Sequence, residues 1–197
     1  MPHVLTTERL ALRPPTPADL EPFVRMCADA EVMRYVGLGC PQDRGTAERG
    51  FAVVLAHWER RGWGLWSVLD RASGEYHGFV GLAPVPSRAL VAGHTEIGWR
   101  LLRAAWGRGL ATEAALAVRD HAFGPLGFDE LISYCQPDNV ASARVMVKLG
   151  MTRAGRGRDA RGTEVAVYRL RAPAAQALPE PGSSIRSAID STIRDGR

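Results

Sequence analysis

The stretch Trp106-Gly107-Arg108-Gly109-Leu110-Ala111-Thr112 sets two glycines and an arginine just ahead of an alanine-rich segment. Gly107 and Gly109 let the main chain turn tightly and approach a ligand with no Cβ in the way. A helix starting there has first-turn N–H groups without internal partners and a partial positive charge, which suits a phosphate or pyrophosphate. Arg103 and Arg108 stand close enough in sequence to add charge-assisted contacts to the same anion. An ordinary glycine-bearing turn between a strand and a helix would read the same way, since short glycine patterns recur by chance. Two other phosphate-binding loops fit poorly. No GxxxxGKS or GxxxxGKT string occurs, and Thr112 stands where a dinucleotide fingerprint needs its third glycine.

The turn has to be held by a strand before it and a helix after it, and the flanking pattern predicts both. Alternation over 96–102 predicts a strand, the fourth of the chain, and the alanine-rich run from the turn to Phe123 predicts a helix. Earlier strands are expected over 8–13, 65–69 and 78–85, with a turn at 72–74 between the last two. A helix capped by Thr16 is expected over 18–30, with Asp19 and Glu21 in its first turn to meet the dipole. A second helix over 44–61 stops at Gly62. Beyond the turn come a fifth strand over 131–136, a helix over 139–149 closed by Gly150, and strands over 152–156 and 165–171. The order predicts a single mixed α/β unit with no internal repeat. Past residue 172, prolines and a Ser/Arg/Asp mixture lack a core-forming pattern, so a domain over 1–172 and a flexible tail over 173–197 are expected.

Composition sets wide bounds. The chain has 197 residues, 46% hydrophobic and 23% charged, as in a globular domain with a real core. The net charge of +4 draws polyanions of any kind, and so discriminates little. A nucleic-acid-binding role ranks low, because no basic stripe interleaved with aromatics occurs. No window approaches a membrane span, and the first ten residues lack a signal-peptide pattern. Cys27, Cys40 and Cys135 share no CxxC spacing, so a reducing cytoplasm is the simplest compartment and no metal site is expected.

Four segments taken together are more specific than the turn alone. Glu96-Ile-Gly-Trp-Arg-Leu-Leu, then Trp106-Gly-Arg-Gly-Leu-Ala-Thr-Glu-Ala, then Asn139-Val-Ala-Ser142, then Lys148-Leu-Gly-Met151 closely resemble the GCN5-related N-acetyltransferase (GNAT) superfamily. Within it, the chain resembles the branch that acetylates N-terminal amines of ribosomal proteins, and Thr7-Glu-Arg-Leu-Ala-Leu-Arg13 fits that branch as well. The resemblance spans roughly residues 5–171. It implies the α/β acyl-CoA N-acyltransferase fold: a mostly antiparallel sheet splayed between the fourth and fifth strands, with helices on both faces. It also implies acetyl-CoA, whose pyrophosphate would be held by backbone N–H groups of Gly107, Arg108, Gly109, Leu110, Ala111 and Thr112. Trp106 replaces the Gln or Arg usual at the loop's first position. Trp99, Arg100 and Leu101 match the segment that pairs with the pantetheine arm, and the Leu101 amide is the expected oxyanion donor. Asn139 and Ser142 match positions contacting the cofactor's lower arm, although Asn139 reads equally as a helix N-cap.

In this superfamily the amine attacks the thioester directly, without an acyl-enzyme. Many relatives protonate the leaving thiolate with a tyrosine, but the matching position is Met146. The branch can use a serine instead, which makes Ser142 the expected acid. Glu96 is the expected base, with His94 and a water relay as the other candidates. Glu113 lies in the helix's first turn, where dipole compensation or a structural contact is expected rather than catalysis. Tyr35, Trp58, Trp63 and Trp66 fall in segments that wall the acceptor cleft of similar proteins, as core or as lining. The favoured acceptor is a protein N-terminal amine, followed by a small-molecule amine such as an antibiotic or polyamine. A non-catalytic acyl-CoA-binding module stays open because the tyrosine is missing. The assembly state also stays open, a homodimer included.

Overall fold

The computed structural model describes residues 4–85, 93–159 and 161–173. In chain order the elements are β1 (Leu5–Thr6), β2 (Leu10–Arg13), α1 (Leu20–Ala28), α2 (Ala30–Met33), α3 (Arg44–Arg61), β3 (Leu65–Asp70), β4 (Tyr76–Pro84), β5 (Thr95–Leu101), α4 (Leu110–Phe123), β6 (Glu130–Cys135), α5 (Val140–Lys148), β7 (Thr152–Arg158) and β8 (Glu164–Arg171). Among the described residues the strands form one eight-stranded sheet in the order β1-β2-β3-β4-β5-β6-β8-β7.

Of the expected elements, the strand over 8–13 is shortened to Leu10–Arg13 behind an additional strand at Leu5–Thr6, and the helix over 18–30 is divided. The two strands form a tight hairpin, because Thr7 turns the chain: its N–H reaches the Leu10 carbonyl at 2.9 Å and its Oγ1 accepts from the Leu10 N–H at 3.0 Å. The helix expected over 18–30 becomes a 3-10 turn at Pro17–Asp19 followed by α1 and α2. Asp29 makes the second break, since its extended backbone lets the carboxylate accept from the N–H groups of Glu31 and Val32 and start α2. Asp19 stands in the first turn as expected, and it also carries tertiary bonds. It is buried, and its carboxylate accepts two 2.7 Å bonds from Arg13, one from the Thr16 N–H and one from Ser67 Oγ. Burial pushes its pKa up, but those donors outweigh it and hold the carboxyl below its ordinary range. The expected tail falls, from residue 174, outside the described residues.

Strand alternation gives the sheet two apolar faces. Leu10, Leu12, Trp66, Val68, Val80, Leu82, Ile97 and Leu101 pack with Leu110, Ala114, Ala115 and Val118 of α4. Each fully buried large apolar side chain contributes roughly 1.5–3 kcal/mol relative to exposure, so docking against the sheet fixes α4 more than helix propensity does. On the opposite face Phe79 meets Phe23, Met26 and Cys27 of α1, Val32 and Met33 of α2, and Ala47 and Phe51 of α3.

The sheet is antiparallel except at its centre. β4 and β5 stay in register from Gly78↔Leu101 to Pro84↔Thr95, whereas β5 and β6 run parallel and register at Glu96↔Ile132 alone. The bond from Leu102 N–H to the His77 carbonyl (2.9 Å) sets the alternation, so the even-numbered residues of β5 bond to β4. The amides of Ile97, Trp99 and Leu101 therefore point towards β6. Ile97 lies at the Ile132 register, and Trp99 and Leu101 lie beyond the point where the strands part.

Candidate active site

The glycine turn begins where β5 ends. A 3-10 turn at Arg103–Ala105 leads into it, and the Trp106 indole N–H donates to the Leu101 carbonyl at 2.8 Å, tying the turn to the strand. Gly107 and Gly109 have φ of 71° and 80°, a region closed to most side chains. Gly109 occupies the N-cap of α4, where no side chain accepts from the first-turn N–H groups. That end is thus left to a ligand or water. Leu110 is buried in the core, Ala111 and Thr112 are half-buried, and Arg103 and Arg108 are exposed. These residues fit an anionic pyrophosphate through open amides, positive helix charge and nearby guanidinium groups.

Glu113, one turn further on, is occupied structurally. Its carboxylate accepts from Thr7 Oγ1 (2.6 Å), the Arg9 N–H (2.9 Å) and Arg9 Nε (2.7 Å). Arg9 Nη1 then donates to the Arg108 carbonyl at 3.0 Å, so the hairpin of β1 and β2 braces the turn. Arg9 was not legible as a site residue, because its partner lies more than a hundred positions away.

A cavity of about 430 Å³ lies at the parted strands. It is lined from β5 by Glu96, Gly98, Trp99 and Arg100, from β6 by Ser133, Tyr134 and Cys135, and from the start of α5 by Asn139 and Ser142. Tyr35, Val36 and Gly37 border it after α2, and Asp159 and Arg161 border it at the turn between β7 and β8. The structure therefore brings the expected Glu96, Trp99, Arg100, Asn139 and Ser142 together around one space. Leu101 is buried at the end of β5, with its amide directed to the split.

The Glu96 carboxyl folds over Gly98, where a Cβ would stand 3.5 Å from Oε1. Burial pushes its pKa up to about 7, and the Tyr134 hydroxyl, paired with the carboxylate, pulls it part of the way back. The Tyr134 phenol is in turn raised by burial and by Glu96. Tyr134 was missed in the sequence, although the two-residue period of β6 places it on the face that Ile132 shares with Glu96. His94 is directed elsewhere: its Nε2 lies 3.4 Å from Glu130 Oε1 and it does not line the cavity.

Asn139 caps α5, its Oδ1 accepting from the Ser142 N–H at 3.1 Å. This fixes the first turn and with it the Ser142 side chain. The Cys135 thiol sits beside Ser142, and burial raises its pKa, a poor setting for a nucleophile. Met146, where many relatives carry a tyrosine, is fully buried in the main core. Of the four aromatics expected near the cleft, Tyr35 lines the cavity, while Trp66 is buried against the edge of Trp58 and Trp63 packs on Phe128. No helix of the described residues is long and apolar enough to cross a membrane, and none of their His, Cys, Asp and Glu groups forms a metal-holding cluster.

The parted strands, the open helix terminus and the Glu96 carboxyl thus lie in neighbouring parts of one sheet edge. The model of the acetyltransferase (GNAT) domain matches residues 9–152, and the chain belongs to that family. The family takes its acetyl group from acetyl-CoA, and the chain is an acyl-CoA-dependent N-acetyltransferase. It is similar to an acetyltransferase from Agrobacterium tumefaciens of known crystal structure, with a TM-score of 0.74 and 33% identity, covering 86% of this chain and 94% of that one. It is also 33% identical over 154 residues to the FsC-acetyl coenzyme A-N(2)-transacetylase of Aspergillus fumigatus, which is 75% of this chain and 64% of that protein. The fold is shared with RimL, a ribosomal alpha-N-protein acetyltransferase in complex with coenzyme A, at a TM-score of 0.70 and 14% identity over 86% of this chain and 98% of RimL.

Proposed function

We propose that this enzyme acetylates a primary amine by direct attack in a ternary complex, with Glu96 as base and Ser142 as acid. The observation that carries this reading is the single cavity holding Glu96 and Ser142 beside the open edge of β5. Acetyl-CoA supplies the thioester. Amides of 107–112 hold its pyrophosphate, with Asn139 and Ser142 at the neighbouring helix start, and Trp99, Arg100 and Leu101 supply the backbone edge that aligns its arm. Glu96, half-ionised near neutral pH, takes the proton of the attacking amine directly or through water. The Leu101 amide stabilises negative charge developing on the carbonyl oxygen. Ser142 Oγ gives a proton to the departing sulfur. The buried Cys135 thiol takes no covalent part.

The favoured acceptor is a protein N-terminal amine, supported by the motifs shared with the ribosomal-protein branch and by the backbone likeness to RimL. A small-molecule amine is the second reading, supported by the likeness to the Aspergillus transacetylase. Melting the protein with and without acetyl-CoA, then following thiol release with peptides and small amines, tests both. Stabilisation with amine-dependent release is expected, and the better acceptor class decides between them. Stabilisation with no release from any peptide or small amine would overturn both acceptor readings. No stabilisation at saturating acetyl-CoA would overturn the assignment of the 107–112 turn.

A further inference from the structure

Arg100 is a half-buried cation with a buried Nε and no carboxylate beside it. It projects from β5 on the face opposite α4, the face that Glu96 and Gly98 share. Its Nε is buried without a hydrogen-bond partner, Nη1 reaches the Cys27 sulfur at 3.5 Å, and the guanidinium stands 5.1 Å above the Phe79 ring. Such a group costs stability unless it is paired, and arginine cannot escape the cost by losing its proton. Burial presses its pKa down, with only the Cys27 thiol and the Tyr76 phenol to oppose it. The other charges on the cavity wall are engaged. Asp159 binds Arg161 Nη2 at 3.0 Å and the N–H groups of Arg161 and Thr163, and Glu96 pairs with Tyr134. Packing alone does not require a guanidinium here, because a neutral side chain of similar length would cover Phe79 equally well.

We infer that Arg100 anchors the acceptor: the amine acetylated by this enzyme carries a carboxylate, which docks on the Arg100 guanidinium while the amine lies at Glu96. This rests on the transferase reading above and narrows its substrate class. Glu96 and Arg100 are four residues apart on one strand, about 13 Å between Cα atoms, and because Gly98 has no side chain the Glu96 carboxyl leans over it into the interval between them. Both residues line the same cavity, so one acceptor can meet the carboxyl and the guanidinium together. Arg34 borders an adjoining depression of about 400 Å³, where Arg161 is already paired with Asp159. A guanidinium fork suits a carboxylate because two parallel N–H donors meet two oxygens.

The test uses acceptors matched in shape and differing in charge: glutamate against glutamine, γ-aminobutyrate against its amide, and peptides beginning Ser-Asp against Ser-Asn. Turnover is read by thiol release, and binding is read by calorimetry on the protein alone and on the protein saturated with coenzyme A. The carboxylate member should win by about 100-fold or more in at least one pair, since a buried donor left unpaired rejects the analogue lacking its partner. R100Q should bring that ratio close to one, and R100K should retain a weakened preference. The small-molecule pairs and the peptide pairs separate the two sources of the carboxylate. Equal handling of every pair by the parent, or a preference that survives R100Q, overturns the inference. Because the binding measurement needs no turnover, loss of the transferase reading would leave this one decided independently.

Discussion

Glu96 and Ile132 form the registered pair at which β5 and β6 meet before parting, and Glu96 is also the carboxyl on the cavity wall. The residue that begins the split therefore stands at a fixed place relative to everything the split exposes. Beyond it the strands leave the Trp99 and Leu101 amides open. The side chain, folded over Gly98 and covered by Tyr134, loses enough water to titrate near pH 7.

That titration gives a first prediction. As a base, Glu96 works only when ionised, so kcat should rise with pH through about 7. Glu96→Gln should remove this inflection and lower kcat by about 10²- to 10⁴-fold, the usual worth of a positioned base. Stability should move the opposite way. The carboxyl's folded pKa lies above its unfolded value, so the uncharged form is favoured on folding and the stabilisation is lost as pH rises through 7. Above pH 7 the variant should thus be more stable than the parent by on the order of 1–3 kcal/mol, after allowance for partial exposure, and so melt at a higher temperature. A pH–rate profile that overlays the parent's would remove Glu96 from the mechanism.

Ser142 supports a prediction that separates capping from chemistry. The cap runs from Asn139 Oδ1 to the Ser142 backbone N–H, which alanine retains. Ser142→Ala should therefore keep the melting temperature and lower kcat by about 10- to 100-fold as water replaces the hydroxyl less well. Normal turnover with normal affinity would show that Ser142 does no proton work.

The sequence was informative where geometry is local or carried by a motif. The glycines at 107 and 109, the Asn139 cap and the helix stop at Gly62 depend on neighbours a few residues away, and all adopt the conformation their residue types prefer. What could not be read there are pairings set by the sheet. Asp19 could be placed at the helix start, but not beside Arg13 of β2 and Ser67 of β3. Arg100 could be placed on the strand but not opposite Cys27 of α1, because that contact needs the helix packing. Trp58 and Trp63 show the same gap, since spacing marked them as aromatic without saying which side of the sheet they would cover.

Gly109 is the position where backbone conformation should decide cofactor binding. Its φ of 80° is costly for a β-branched residue, by about 1–3 kcal/mol, and a Cβ would come within 3.6 Å of Arg9 Nη2. Gly109→Val should fold, because the turn is exposed, yet lose most of the stabilisation given by acetyl-CoA and raise its KM at least about tenfold, as 1.4 kcal/mol of misplaced amide contacts would. Unchanged stabilisation by acetyl-CoA would show that the amides of this turn do not hold the pyrophosphate.

The brace from Glu113 to the hairpin predicts a variant that affects binding without affecting chemistry. Glu113→Ala strips the acceptor from Thr7 Oγ1 and from two Arg9 donors, and frees the arginine that holds the Arg108 carbonyl. Leaving the part-buried Thr7 hydroxyl unpaired and freeing the exposed Arg9 donors should cost about 1 kcal/mol. Burial raises the Glu113 pKa, but Thr7 and Arg9 outweigh it and hold it below the ordinary value, so its stabilisation is present above about pH 4.5 and is lost as pH falls through the folded pKa. The melting difference between parent and variant should therefore be full at pH 7 and close in acid. With the turn less firmly braced, KM for acetyl-CoA should rise while the pH dependence of kcat keeps the parent's inflection. Loss of that inflection would instead place Glu113 among the groups that move protons, and the bonds to Thr7 and Arg9 would need another explanation.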